Sequence, residues 1–362
     1  MVFATSKELE SWLNVMPEEF QKEYNRVKRV SQVLSKEPEP KVGQTPKQVI
    51  WTKNKTKLYH YQPAKTKTNK VPILMIYALI NKPYILDLTP GSSLIEYLTD
   101  RGHDVFLLDW GTPGYEDRNM KLDDYILDYI PRAIQKVLRA TKASEVTLFG
   151  YCMGGTMTSI FAALHPHLPI RNLIFLTSPF DFSDTGLFTN WLDERYFNLD
   201  QMVDTYGIVP PEAIDLGNKL LKPLVNYIGP YVTLMDRADN EKFIKNWMLM
   251  QKWVHDGIPF PGEAYRQWIG EFYQKNKLIN NELVIRGQKV DLSNIKANIL
   301  NLAADRDHIA APNQVEPLLN KVSSKDKTFM VIPAGHVSII SGGAALKKTY
   351  PTIENWLNEH SK

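Results

Sequence analysis

Cys152 is the only cysteine in the 362 residues, and it stands in the stretch LFGYCMGGT. Gly150, Cys152 and Gly154 form the pattern G-x-C-x-G between an apolar run that predicts a strand and a segment that predicts a helix. In that context the pattern predicts a nucleophile elbow, in which small neighbours allow a sharp bend and a helix amino terminus favours a thiolate. The alternative is an ordinary buried thiol, because free cysteine is often interior.

An elbow nucleophile needs an orienting acid and a base, which follow it along the chain in that order. The stretch DRDHIAAP follows one predicted strand, and AGHVSIISGG follows the next. Because the carboxyl ends of parallel strands meet at one crevice, His336 is the candidate base that would take the thiol proton. Asp305 and Asp307 are both candidate acids, and His308 is an alternative base.

A tetrahedral oxyanion at such a site needs two backbone donors. The amide of Met153, directly after the nucleophile, is the first candidate. The second is expected near Ile80 or Asn81, in the loop ALINKPYILDL after the first long apolar run. That loop can also be a simple turn into the next helix.

Nearly continuous apolar runs predict strands that are buried on both faces, as in a parallel sheet. Helical patterns lie between them, so the chain predicts a doubly wound sheet of the α/β-hydrolase class. The predicted strands span 71–79, 104–110, 146–150, 173–178, 298–304 and 328–333.

Breaks in this rhythm predict three parts. Residues 1–47 form a helical segment and a linker, and residues 48–180 with 294–362 form the core. Residues 181–293 are aromatic and rich in proline, too apolar for disorder and too irregular for sheet strands, which predicts an inserted cap. Phe20 and Val27 belong to an apolar stripe at helical spacing that either packs on the main domain or docks another protein.

Composition excludes several classes of protein. The formal net charge is only +3, which gives no reason to expect nucleic acid. One cysteine excludes a disulfide framework and a zinc site of several thiolates, and no third ligand accompanies His165 and His167, so no metal is expected. No apolar run approaches the roughly 18 residues of a spanning helix, and no secretory signal is recognisable, so a cytoplasmic protein is expected.

Taken together, these motifs resemble the polyhydroxyalkanoate synthases, acyl-CoA polymerases with a cysteine elbow. The resemblance rests on INKPYILDLTPGSSLIEYL, FLLDWG, GYCMGGT, LTSPFDF, AGHVSII and YPTIENWL, from about residue 71 onward. It implies Cys152 as nucleophile and His336 as base. The family's aspartate directly precedes a histidine, which selects Asp307 over Asp305. It also implies no cofactor, because the coenzyme A thioester is the substrate.

The chain looks like the short catalytic subunit of the two-subunit synthases, most like class IV. The resemblance implies a small PhaR-type partner, with a PhaE-type partner as the alternative, a homodimer, and a place at the surface of polyester granules. It implies short-chain (R)-3-hydroxyacyl-CoA as substrate, chiefly 3-hydroxybutyryl-CoA. A basic cluster that includes Lys53, Lys55 and Lys57 can steer coenzyme A phosphates or be the solvated face of a hairpin. Rival functions are a cysteine esterase or thioesterase of the same fold and a non-catalytic granule scaffold.

Overall fold

The computed structural model describes residues 16–35, 39–65 and 69–361. Its main feature is an eight-stranded sheet in the order β1-β2-β4-β3-β5-β6-β7-β8. Strand β2 is antiparallel to its neighbours and strands β3 to β8 are parallel, which confirms the predicted doubly wound architecture. The strands are β1 Gln48–Lys53, β2 Thr56–Tyr61, β3 Ile73–Ile76, β4 Val105–Asp109, β5 Val146–Tyr151, β6 Ile170–Leu176, β7 Asn298–Ala304 and β8 Lys327–Ile332.

All six strands predicted from the apolar runs are present, as β3 to β8. Strand β5 is buried along its whole length, because helices cover both faces of a doubly wound sheet. The antiparallel pair β1 and β2 was predicted only as a hairpin, and the hairpin is confirmed. Asn54 turns it with a φ of 51°, and Lys55 pairs with Glu116 and Asp117.

Helices fill the intervals between the strands. Helix α3 follows a helical turn at 122–124 and a π-helical turn at 125–129, and its apolar face is buried as the spacing predicts. None of the helices in the described ranges combines the length and hydrophobicity that crossing a membrane requires. The main α-helices are α1 Glu18–Leu34, α2 Leu94–Thr99, α3 Ile130–Thr141, α4 Met153–Leu164, α5 Leu187–Trp191, α6 Leu199–Tyr206, α7 Pro211–Leu220, α8 Gly229–Asp236, α9 Glu241–His255, α10 Gly262–Gln267, α11 Pro312–Val315 and α12 Tyr350–His360.

The chain divides into two compact units. One joins residues up to 41 with residues 222–255, and the other joins 42–221 with 256–362. The predicted cap, residues 181–293, is therefore divided between the units. Residues 222–255 belong to the smaller unit, and the rest of the cap belongs to the larger one. The three-part division predicted from the sequence stays a prediction.

In the smaller unit, helix α1 packs its carboxyl-terminal half into an apolar cluster. Val30 and Val33 share this cluster with Leu234 of α8, Ala238 of the turn after α8 and Ile244 of α9. The predicted amphipathic helix is thus confirmed, but its stripe is split. Other members of the stripe face outward, because Phe20 is 63% and Val27 54% exposed.

In the larger unit, a buried carboxylate fastens the end of the predicted linker. Asp87 accepts hydrogen bonds from the hydroxyls of Thr45 (2.6 Å) and Ser93 (2.8 Å), and its carbonyl accepts from Gly43 N–H at 2.9 Å. Burial raises the pKa of Asp87, and the hydroxyl hydrogen bonds oppose that rise. Residues 43–45 are therefore ordered against the core rather than forming a free linker.

The passage from β5 into α4 is packed so tightly that only glycine fits. A Cβ on Gly154 would lie 2.2 Å from the carbonyl oxygen of Ile76, at the end of β3. A Cβ on Gly155 would lie 1.9 Å from the Ser178 hydroxyl, and one on Gly150 would meet Gly155 at 2.3 Å. These contacts explain the run of glycines around Cys152, since the backbones approach within the radius of a methyl group.

We expect Gly154→Ala to destabilise the fold by about 1–3 kcal/mol, because the new methyl group meets backbone that cannot move aside. Urea unfolding measures this loss. Gly343→Ala is the matched control, since a Cβ there meets nothing within 4 Å and should leave stability unchanged. Equal midpoints for the two variants would contradict the packing described here.

Candidate active site

Cys152 occupies the turn between β5 and α4, as the elbow pattern predicts. Its backbone is left-handed, with φ 53° and ψ −131°, a conformation that costs a non-glycine residue free energy. The turn is held by a hydrogen bond from Cys152 N–H to Leu176 O (3.0 Å) and another from Gly155 N–H to Cys152 O (2.9 Å). The thiol consequently projects from the turn beside the amino terminus of α4.

The imidazole of His336 stands between the thiol and a carboxylate. Its Nδ1 lies 2.7 Å from Oδ2 of Asp307, and the Cys152 side chain is near enough to contribute to raising the pKa of the imidazole. The other oxygen of Asp307 accepts the backbone N–H groups of Ile309 (2.8 Å) and Ala310 (2.9 Å), which fix the carboxylate. The fold therefore brings together the three side chains that the motifs singled out.

Opposing influences set the charge of this imidazole. Burial by itself would lower the pKa of His336, since it disfavours the charged form. Interactions with the Asp307 carboxylate and the Cys152 side chain outweigh it and hold the pKa of His336 well above its ordinary value. The site thus favours the protonated form of His336.

The side chains that the sequence left as an alternative acid, an alternative base or possible metal ligands make other contacts. Asp305 is exposed and contacts the neighbouring Arg306 at 3.3 Å, so its carboxylate serves the surface turn. His308 is next to Asp307 in the sequence, but the imidazole that pairs with the Asp307 carboxylate is that of His336. His165 and His167 follow the far end of α4, and across the described ranges no group of three metal-binding side chains occurs.

The two predicted oxyanion donors flank the elbow. Met153 is the first residue of α4, so its N–H is one of the groups that a helix start leaves without an internal partner. Ile80 lies in the loop after β3, and the end of β3 is the backbone against which Gly154 packs. Their roles as donors stay predictions.

Two tyrosines at the site were not singled out from the sequence. Tyr151 donates its hydroxyl to the carbonyl of His336 at 2.9 Å, which ties the elbow strand to the histidine loop. Tyr273, in the segment predicted as a cap, has its pKa raised by burial and, to a smaller extent, by the charges of Cys152 and Asp307. Tyr151 sits inside the elbow motif and was overlooked there, whereas no sequence signal places Tyr273 at the site.

We expect Asp307→Asn to lower the pKa of His336, because the substitution removes a negative charge that stabilises the imidazolium. Proton NMR of the imidazole against pH measures the shift, with the signal assigned by its loss in His336→Gln. Asp305→Asn is the matched control and should leave the titration as in the parent chain. An unchanged titration in Asp307→Asn would contradict the pairing.

Two family models match the chain. The model described as the alpha/beta hydrolase fold covers residues 71–343. A second model, described as the poly-beta-hydroxybutyrate polymerase (PhaC) N-terminus, covers residues 15–98. Together they span the hairpin, the sheet and the site, so the predicted fold class is confirmed.

Relatives with curated names are similar over most of the chain. A poly(3-hydroxyalkanoate) polymerase subunit PhaC from Haloferax mediterranei is 38% identical over 90% of this chain and 66% of its own length. The PhaC subunit of Allochromatium vinosum is 37% identical over 88% of this chain and 89% of its own length. That of Synechocystis is 35% identical over 89% and 87%, respectively.

Among solved structures, a thermophilic esterase from Thermogutta terrifontis matches with a TM-score of 0.51 and 15% identity. The match covers 88% of this chain and all of the esterase, and at that identity it supports the fold alone. The relatives go further, because their identity extends over nearly the whole length of comparable subunits. The chain belongs to the poly(3-hydroxyalkanoate) polymerase (PhaC) family, whose members are acyltransferases that build polyesters.

Proposed function

We propose that this chain polymerises short-chain (R)-3-hydroxyacyl-CoA, chiefly 3-hydroxybutyryl-CoA, into polyester through a covalent acyl group on Cys152. The observation that carries the proposal is the series Cys152, His336 and Asp307 at the elbow of an α/β-hydrolase sheet, in which the imidazole pairs with the Asp307 carboxylate at 2.7 Å. Such a series can make a thiolate and return its proton, which is what acyl transfer requires. The proposed reaction needs no cofactor, since the thioester is already activated.

In the acylation step, His336 holds the proton of Cys152 and the thiolate attacks the thioester carbonyl carbon. The bond between that carbon and the coenzyme A sulfur breaks, and the leaving thiolate takes a proton from His336. The acyl group is then a thioester of Cys152. Sulfur suits this step because thiol exchange keeps the acyl group activated, whereas a serine ester would be a lower-energy resting point.

In the elongation step, the 3-hydroxyl of a second monomer attacks the acyl-enzyme. His336 accepts the hydroxyl proton, an ester bond forms, and the bond from carbon to Cys152 sulfur breaks. Asp307 stabilises the imidazolium that forms in both steps, since its Oδ2 lies 2.7 Å from Nδ1. We propose that the N–H groups of Met153 and Ile80 receive the oxyanion of each tetrahedral intermediate.

Exclusion of water is what separates a polymerase from a hydrolase on this fold. Cys152, Asp307 and His336 are 9%, 6% and 8% exposed, respectively, so bulk water has little access to the thioester. Tyr273 and Phe182 belong to an aromatic cluster of the cap, with ring centroids 5.0 Å apart. We propose that residues 181–293 act as a cap that covers the site and moves to admit substrate.

We also propose a small PhaR-type partner subunit, with a PhaE-type subunit as the alternative, and a homodimer of the catalytic chain. The growing polyester places the complex in the cytoplasm at the granule surface. The word subunit in the name of the Allochromatium vinosum relative, polymerase subunit PhaC, supports the existence of a partner subunit. No interaction with nucleic acid is part of the proposal.

The decisive assay incubates the chain with 3-hydroxybutyryl-CoA, with and without a PhaR-type subunit. Thiol release and insoluble polyester are scored separately, and we expect both, with more polymer when the partner is present. Thiol release without polymer would identify the esterase or thioesterase alternative. Absence of both in the presence of the partner would favour the granule scaffold.

We expect Cys152→Ala and Cys152→Ser to abolish polymer formation, and His336→Gln to reduce it by about 10²- to 10⁴-fold, the usual contribution of a general base. Mass spectrometry of the intact chain should show acyl adducts in the parent and none in Cys152→Ala. His308→Gln is the matched control and should retain activity. Polymer formation by Cys152→Ala would refute the proposed mechanism.

A further inference from the structure

The loop that carries Ile80 is held by the chain segment Asp256, Gly257 and Ile258, which we call the latch. Ile258 N–H donates to the carbonyl of Ile80 at 3.0 Å. Gly257 forms an antiparallel bridge with Asn81. The hydroxyl of Tyr84 donates to Oδ2 of Asp256 at 2.7 Å. Three successive latch residues therefore contact the loop from Ile80 to Tyr84.

The two ends of this loop are fixed by the core. At its start, Trp110 Nε1 donates to the carbonyl of Tyr77 at 2.9 Å. At its end, the short helix Pro83–Leu86 buries Pro83, Ile85 and Leu86. Ile258 and Gly257 contact Ile80 and Asn81 between these two anchors. The backbone rotations of this stretch set the direction of the Ile80 N–H.

We propose that Asp256 and Tyr84 are positioning residues for the oxyanion hole, acting through the latch on the Ile80 amide. The inference rests on the proposed function, in which that amide is a donor. Each residue has two soft backbone dihedrals, so holding the Ile80 carbonyl and the Asn81 backbone limits the rotations that would turn the Ile80 N–H away. Oxyanion donors are effective because they are fixed before the reaction.

The latch is also placed to connect the loop with the rest of the chain. Asp256 directly follows His255, the last residue of the smaller unit. On its other side, Ile258 is buried, and the strand Phe260–Pro261 pairs with Ile208–Val209. The latch is thus anchored downstream by a strand pair of the cap, which gives the loop a rigid support.

The test separates acyl transfer from simple thiol reactivity. Acylation of Cys152 by 3-hydroxybutyryl-CoA uses the oxyanion hole, whereas alkylation by iodoacetamide does not form an oxyanion. We expect Tyr84→Phe and Asp256→Ala to slow acylation about tenfold, less than the 10²- to 10³-fold loss of an entire donor. The alkylation rate should stay within about twofold of the parent, because the thiol and imidazole keep their places.

Further variants exclude a general structural effect. Asp256→Asn keeps an oxygen that can accept from Tyr84, so it should restore most of the acylation rate lost in Asp256→Ala. Tyr196→Phe, at a tyrosine that is 78% exposed, is the matched control and should acylate as the parent does. The double variant of Tyr84→Phe and Asp256→Ala should be no slower than either single variant, since both remove one interaction.

Three results would contradict the positioning role of Asp256 and Tyr84. Equal acylation rates for Tyr84→Phe and the parent would overturn the latch while leaving the polymerase in place. A parallel fall of acylation and alkylation would overturn it too, by showing a general disturbance of the site. A parent chain that is alkylated but never acylated would overturn the proposed function, and the positioning role with it.

Discussion

A thiol on one strand can face an imidazole delivered by another only if the chain reverses sharply at the thiol. In this protein the reversal takes place within Cys152 itself, whose φ of 53° lies in the left-handed region. The strained turn is retained because its neighbours leave no alternative, with Gly154 against the backbone at Ile76 and Gly155 against Ser178. The glycines and the cysteine therefore form one structural device.

The rest of the site is built on that fixed point. The loop after β7 supplies Asp307, locked by two backbone N–H groups, and the loop after β8 supplies His336. Tyr151 links the elbow strand to the histidine loop through a single hydroxyl. Burial lowers the pKa of His336, but its interactions with Asp307 and Cys152 outweigh burial and hold that pKa well above its ordinary value.

The same geometry accommodates hydrolysis and polymerisation, which differ only in the acceptor that reaches the acyl group. Cys152 is buried, and Phe182 and Tyr273, in the segment that we propose to be a cap, lie with their ring centroids 5.0 Å apart. The hydrogen bond from Tyr84 to Asp256 links the segment predicted as a cap to the loop that follows β3. The segment predicted to cover the site is therefore hydrogen bonded to the loop that is proposed to supply an oxyanion donor.

The sequence alone predicted the sheet and the elbow, and it singled out His336 as the candidate base. Apolar runs of strand length, a G-x-C-x-G turn and a histidine after the last strand are local patterns. Each can be recognised from neighbouring residues in the sequence, without a structure. From the residues alone, Asp305 and Asp307 stayed equivalent, and resemblance to a family chose between them.

Only the tertiary structure decided what depends on contacts between distant segments. It showed that the Asp307 carboxylate faces His336 while Asp305 faces solvent, and that residues 222–255 group with the amino-terminal helix. It also joined Tyr273 to Phe182 in one aromatic cluster and Asp256 to Tyr84 in a hydrogen bond. Such pairings join residues far apart in the chain, and no periodicity in the sequence records them, because their partners are chosen by the packing of the whole fold.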